Sequence, residues 1–183
     1  MRKVCLALTL GLSQGLAGAS RAGPAETMTV QAFVSRCVVP MESGDLPDLS
    51  DLSSISSFEQ GGRELFWKDL PGPGNIQEIQ TRDNRFVGCS VDSDPVAEFD
   101  HETLAISFEA WADSAIEQGR YVDLPDCTSE SFTFIRVVQY AHDRPNGLVV
   151  RVFLVIGEEP EMFMFFAGET DPANLSCGQG GQE

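Results

Sequence analysis

The chain has 183 residues, 42% of them hydrophobic, and its 12 Lys and Arg against 28 Asp and Glu give a formal net charge of −16 at pH 7. This length predicts a single domain, and the hydrophobic content is typical of a globular protein and not of a disordered one. The acidic balance argues against binding to nucleic acid or to anionic membranes, since both need basic patches, and it is compatible with a basic protein partner.

The N-terminus has the pattern of a cleaved signal peptide. A positive start, Arg2-Lys3, precedes an apolar run over 4–12, which is too short to span a bilayer, and the small residues 17–19 fit the cleavage rule. Residues 1–19 are therefore predicted to be the signal peptide and 20–183 a single domain, located in the periplasm or secreted, with no stable membrane insertion after cleavage. The candidate cleavage sites follow Ala19, Ala22 and Ala25.

Cleavage leaves a more acidic chain with an even number of cysteines. Residues 1–19 carry two cations and no carboxylate, so the mature net charge is 10 − 28 = −18. An even count of cysteines in an exported chain predicts two disulfides, and we favour the pairs Cys37–Cys89 and Cys127–Cys177 among the three possible pairings. There is no CxxC motif and only 2 His, so we expect no metal site and no cofactor.

The residue pattern of the N-terminal third of the chain predicts one helix followed by a long loop. Thr29 can cap a helix whose apolar residues recur at helical spacing as far as Cys37, which places that cysteine on the buried face. Pro40 is expected to end this helix because proline cannot continue the backbone hydrogen bonding. The stretch 41–62, rich in Ser, Asp, Gly and Pro, is predicted to be a long loop with weak order.

The middle of the chain predicts a strand, a hairpin and a second helix. Glu64–Lys68 is the strand, and the hairpin joins Ile76–Thr81 to Arg85–Val91 through an Asp-Asn turn. The second helix is placed near 100–118, where apolar residues form one stripe; Asp94 or Asp100 can cap its start, and Gly119 is suited to a left-handed cap at its end.

The C-terminal part predicts a three-stranded antiparallel meander and then a flexible tail over 171–183. The strands are Phe132–Ala141, Leu148–Ile156 and Met162–Ala167, separated by turn-forming residues. No internal repeat is apparent. The fold class is therefore α+β: an antiparallel sheet, made of this meander and the N-terminal hairpin, with two main helices packed on one face and two disulfides.

One face of the meander contains the candidate ligand site. Alternation along the strands assigns Arg136, Tyr140, Arg151, Phe153 and Phe165 to the same face, which is otherwise apolar. Two guanidinium groups in an aromatic-walled pocket would suit an anionic ligand. Alternatively, each arginine pairs with a local carboxylate or extends to water at the sheet edge.

Motifs for catalysis are weak. His101 lies between Asp100 and Glu102 at a helix start, where neighbouring carboxylates could suit it to acid–base chemistry in a hydrolase. A histidine in a capping turn is the alternative, and no nucleophile elbow, phosphate loop or metalloprotease helix accompanies it. We therefore assign no catalytic residue.

The predicted signal peptide and three strings resemble those of small exported proteins of unknown function from Gram-negative bacteria. The three strings are FVSRCVVP at the end of the first helix, RFVGCSV in a strand and FEAWADSAI in the second helix. The resemblance implies a periplasmic location and no particular activity.

Three functions follow from these observations. The first is a non-enzymatic interaction or accessory protein whose acidic surface meets a basic protein. The alternative is a small anionic-ligand binding module that uses the Arg136/Arg151 face. The third is a hydrolase that uses His101.

Overall fold

A computed structural model describes residues 25–60, 63–70, 74–81, 87–93, 98–124, 133–144, 146–158 and 161–172. The predicted signal peptide, the second disulfide Cys127–Cys177 and the tail from residue 173 lie outside these ranges, so those interpretations stay predictions. None of the helices in the described part of the chain combines the length and the apolar composition that a membrane crossing requires.

The described elements form an α+β fold, as predicted. The N-terminal helix consists of α1 (Ala25–Phe33), a π-helical turn (Val34–Val38) and α2 (Val39–Ser43), and the second helix is α3 (His101–Glu117). The strands are β1 (Ser54–Gln60), β2 (Arg63–Asp69), β3 (Gly74–Thr81), β4 (Val87–Ser93), β5 (Tyr121–Asp123), β6 (Thr133–Tyr140), β7 (Val149–Glu158) and β8 (Glu161–Thr170).

The N-terminal helix continues through Pro40, so the prediction that it ends there is wrong. Proline cannot donate to the carbonyl four residues earlier, that of Arg36. This carbonyl instead accepts a hydrogen bond of 3.0 Å from the backbone N–H of Asp48, which lies in the following loop. The helix ends at Gly44, whose φ of 84° is left-handed. The predicted loop 41–62 is correspondingly shorter, because residues up to 43 are helical and β1 begins at residue 54.

All eight strands lie in one antiparallel sheet with the order β1-β2-β3-β4-β8-β7-β6-β5. The predicted hairpin is β3–β4 and the predicted meander is β6–β7–β8, with β7 in its middle. Strands β1 and β5, which form the two ends of the strand order, were predicted as loop. The central pairing joins β4 to β8 between Gly88↔Gly168 and Asp92↔Met164.

The topology contains a repeat that was not apparent in the sequence. A helix is followed by a four-stranded antiparallel meander twice, and the last strands of the two meanders, β4 and β8, pair with each other. Both helices also end in the same hydrogen-bonded motif around a left-handed glycine, Gly44 and Gly119. The sequence Asp-Leu-Pro-Asp follows each helix, at 45–48 and at 123–126. The domain is thus built from two helix-plus-meander units.

Both helices pack on the same face of the sheet, as predicted. The ring of Phe165 in β8 lies 5.4 Å from that of Phe33 in α1 and 5.8 Å from that of Phe108 in α3, measured between centroids. The predicted disulfide Cys37–Cys89 is present and joins the π-helical turn to β4. We call this side of the sheet the helix face and the opposite side the outer face.

The cap of α3 provides a test of local backbone conformation. Gly119 has a φ of 70°, and a Cβ added there would meet no atom within 4 Å. We expect Gly119→Ala to lower the free energy of unfolding by about 1 kcal/mol, because only the left-handed backbone disfavours the new side chain. Urea denaturation measures this loss. Gly119→Asn should lose less, since Asn tolerates this conformation, and equal losses for both variants would contradict the explanation.

Candidate functional site

The structure does not bring the four predicted ligand-binding residues together. Arg136 and Tyr140 lie on the helix face, whereas Arg151 and Phe153 lie on the outer face. Strand β6 contains a bulge between Phe134 and Arg136, which reverses the side to which the following residues point. The predicted common face for the two arginines is therefore wrong.

The side assigned to β8 is also reversed. Glu158 pairs with Glu161, so the connection between β7 and β8 is only two residues long and shorter than predicted. This register sets Phe165 opposite Leu154 on the helix face and Phe166 opposite Phe153 on the outer face. Phe165 was instead predicted to lie on the same face as Arg151. A change of one residue in a turn moves every side chain of the strand to the other face.

Arg136 is neutralised by two carboxylates of its own chain. Its Nε and Nη2 donate to Asp123 at 2.7 and 2.8 Å, and its Nη1 contacts Asp113 of α3. The hydrogen bond from Arg136 holds the pKa of Asp123 below its ordinary value. The ion pairs tie α3 to β5 and β6, which is the alternative that the sequence analysis left open for this arginine.

Arg151 lies in an apolar part of the outer face. It is only 6% exposed, and its Nε donates to the Oε1 of Gln139 at 3.1 Å. Burial lowers the pKa of its guanidinium. The ring of Phe153 stacks on that of Phe166 at 5.1 Å, within a cluster that includes Val137 and Val155.

Tyr140 belongs to a row of rings on the helix face. Its centroid lies 5.4 Å from that of Tyr121 and 5.2 Å from that of His142. Tyr140 is therefore part of the packing beside β5 and stands apart from Arg151 and Phe153.

His101 lies at the first turn of α3, as predicted, with its ring 4.8 Å from that of Phe99. The neighbouring Asp100 is the helix cap: its carboxylate accepts hydrogen bonds from the backbone of Glu102 and Thr103 and from the Thr103 hydroxyl. The Thr103 hydrogen bonds are the main reason that the pKa of Asp100 is lowered. Among the described residues, no three His, Cys, Asp or Glu side chains converge as metal ligands would.

The solvent side of α3 carries an acidic stripe that the sequence analysis did not single out. Its members recur every three or four residues, and all of them are exposed. The one apolar member, Ile106, is 58% exposed. The helix contains no Lys or Arg. The acidic stripe consists of Glu102, Ile106, Glu109, Asp113 and Glu117. A helical projection of the sequence would have found it, because these positions are the complement of the buried stripe.

Several arginines of the described chain form ion pairs with carboxylates of the same chain, most of which lie outside the acidic stripe. Much of the negative charge of the stripe is therefore not neutralised by these arginines. Among the described residues, four arginines form ion pairs with carboxylates, and Asp113 is the one of these carboxylates that belongs to the stripe. Glu109 and Glu117 are therefore exposed carboxylates on a helix without a cation of its own. The four pairs are Arg36–Asp51, Arg120–Glu42, Arg136 with Asp113 and Asp123, and Arg144–Glu169.

Comparisons of this chain with protein-family models, with curated proteins and with solved structures found no match.

Proposed function

We propose that this chain is a non-enzymatic, exported interaction or accessory protein that binds a basic protein through the acidic stripe of α3. The observation that carries the proposal is the stripe itself: four carboxylates and one exposed isoleucine along one side of a helix that has no cation. Such a surface attracts a cationic partner by its electric field and repels acidic ones.

Ile106 gives this surface an apolar centre. It lies one helical turn from both Glu102 and Glu109 and exposes more than half of its surface. An interface with an apolar centre and a charged rim is the usual arrangement in protein complexes. A partner that presents an apolar side chain between Lys or Arg residues would match it.

The exported location is part of the proposal. The predicted signal peptide over 1–19 and the resemblance to exported Gram-negative proteins favour the periplasm or secretion. The disulfide Cys37–Cys89 supports this location, because disulfides persist mainly in oxidising compartments.

The proposal is tested by reversing two charges of the stripe. The exported protein is immobilised and exposed to the exported proteins of the cells that make it, and the affinity for each identified partner is then measured. We expect Glu109→Lys/Glu117→Lys to bind a basic partner about tenfold more weakly or worse, since about 1.4 kcal/mol of lost attraction suffices for that change. Binding should also weaken with salt, because the screening length falls from about 10 Å at 0.1 M to about 3 Å at 1 M.

Asp45→Lys/Asp143→Lys is the matched control. Both aspartates are exposed and lie outside α3, so this variant changes the net charge by the same amount at another place. The control should retain wild-type affinity. Equal weakening by both variants would mean that net charge and not the stripe governs binding. A partner that binds equally well at high salt or after the α3 reversal would overturn the proposal.

A further inference from the structure

The outer face carries a polar group at the junction of the two meanders. Cys89 points to the helix face through its disulfide, so Ser90 and the next alternate residue, Asp92, face mainly to the other side in accordance with strand alternation. Gln77 of β3 pairs with Ser90 and shares its side. Gln77 is 8% and Ser90 2% exposed. Three polar side chains thus lie next to apolar residues of β8, Met164 and Phe166.

The hydrogen bonds of this group do not balance when Asp92 is ionised. The Ser90 hydroxyl lies 3.3 Å from Gln77 Oε1 and 3.3 Å from Asp92 Oδ2. A hydroxyl has one hydrogen to donate, so it serves only one of these two acceptors. Asp92 Oδ1 is fully buried and has no hydrogen-bond partner among the described residues. With the Gln77 amide in this orientation, an ionised Asp92 would leave either Gln77 Oε1 or Asp92 Oδ2 without a donor, which is costly.

We propose that Asp92, Ser90 and Gln77 form a proton-dependent relay at the β4–β8 junction. In the protonated state Asp92 donates to Ser90 Oγ, and Ser90 donates to Gln77 Oε1, so each contact has its hydrogen. In the ionised state the direction reverses: the Gln77 amide turns over, its NH₂ donates to Ser90, and Ser90 donates to Asp92. The observed amide orientation is the one that suits a protonated Asp92.

The charged residues on the neighbouring strands do not offset the preference of Asp92 for the protonated state. Beside Asp92, the register places neutral Asn75 of β3 and Met164 of β8. Asp69 of β2 is paired with Asn75, so it stands about two strand spacings, or roughly 10 Å, from Asp92. Arg151 lies on this face in the register row of Gly88, which is four residues along β4 from Asp92, and it is also two strands away, so the two residues are roughly 16 Å apart. Burial raises the pKa of Asp92 to about 6, and the hydrogen bond from Ser90 opposes that rise.

The relay makes the stability of the fold depend on pH. The pKa of Asp92 is about 6 in the folded chain, against an ordinary value of 3.8. At a pH between these two values Asp92 is therefore protonated in the folded state and ionised in the unfolded state. The stabilisation that protonated Asp92 gives to the folded state is therefore fully present below about pH 4, is lost as the pH rises through about 6, and stays absent above it. Two pKa units correspond to about a hundredfold change in the unfolding equilibrium constant.

The test compares wild type with Asp92→Asn, which mimics the neutral side chain. Unfolding by urea between about pH 4 and 8 should show the wild-type equilibrium constant rising about a hundredfold relative to that of the variant. Glu109→Gln is the control, since it removes an exposed carboxylate on α3 and should keep the wild-type pH profile. Parallel profiles for wild type and Asp92→Asn would overturn the proposal.

A second measurement does not depend on whether an Asp92 variant folds. In NMR spectra of the wild-type protein, the Gln77 side-chain NH₂ resonances should shift with the same midpoint, near pH 6, as the Asp92 carboxyl carbon. In Ser90→Ala the link is cut, so the Gln77 resonances should stop following Asp92. A Gln77 amide that is indifferent to the Asp92 titration, or an Asp92 that titrates near its ordinary pKa, contradicts the relay. The relay lies on the outer face and does not depend on the proposed function of α3.

Discussion

The double variant Cys37→Ala/Cys89→Ala is expected to lose about 4 kcal/mol of the free energy of unfolding. The disulfide joins residues 52 apart in sequence, and a cross-link of this span restricts the unfolded chain by an amount between about 3 kcal/mol for 15 residues and 4.7 for 100. It also connects the N-terminal helix to β4, which pairs with the second meander. Urea denaturation under oxidising conditions measures the loss.

Reductant supplies the matched control for this variant. Wild type treated with dithiothreitol should unfold with nearly the midpoint of the double variant treated in the same way, because reductant removes the same remaining cross-links from both. Any further effect of reductant on the double variant would have to come from other cysteines, and it would therefore test the predicted pair Cys127–Cys177. A loss below about 1 kcal/mol in the variant would show that the cross-link contributes little to stability, contrary to the chain-entropy argument.

The second large effect is expected at the buried ion pair Arg144–Glu169. Their side chains are 4% and 7% exposed, and Arg144 Nη1 lies 2.5 Å from Glu169 Oε1. We expect Glu169→Ala to cost about 3–5 kcal/mol, because it leaves a guanidinium buried without its carboxylate. Chemical denaturation measures the cost. The pair connects the segment before the β6–β7 turn to the end of β8, and Arg144 also lies beside Gly44 at the end of α2.

Two comparisons separate a buried charge from a general loss of contacts. Arg144→Met/Glu169→Leu removes both charges and should be more stable than Glu169→Ala, since neither charge is then buried alone. Asp51→Ala breaks the ion pair with Arg36, but Asp51 is 64% exposed, so the unfolding midpoint should hardly move. If Glu169→Ala shifted the unfolding midpoint as little as Asp51→Ala, the prediction would be contradicted. The Arg144 guanidinium would then have to be hydrated or paired with another group.

Local signals in the sequence were sufficient for α3. Asp100 and Gly119 flank a periodic stretch, and the observed helix, His101–Glu117, begins and ends where they predict. Capping and periodicity depend on residues within one or two turns, so they are readable without knowledge of the rest of the fold. The disulfide Cys37–Cys89 was predicted because Cys37 falls on the buried side of one element and Cys89 on that of another.

The candidate site was not predictable to the same degree because its geometry depends on register. The bulge between Phe134 and Arg136 and the two-residue turn between β7 and β8 each reverse the side of a strand. Neither has a clear signal in the residues themselves. As a consequence, Arg136 and Arg151 lie on opposite faces and do not form the predicted pocket. Arg136 belongs to a cluster of ion pairs on the helix face, and Arg151 is buried on the outer face.

The residues alone were enough to predict the α+β class, the second helix, the C-terminal meander and the disulfide Cys37–Cys89, and they give the chain its acidic net charge. The passage of the first helix through Pro40 depends on a tertiary contact, since the hydrogen bond that replaces the missing one comes from Asp48, twelve residues after Arg36. The position of Asp92, which is half-buried and has one buried carboxylate oxygen without a hydrogen-bond partner among the described residues, depends on the tertiary structure as well. These properties come from contacts between residues distant in the chain, and alternation or composition cannot reveal them.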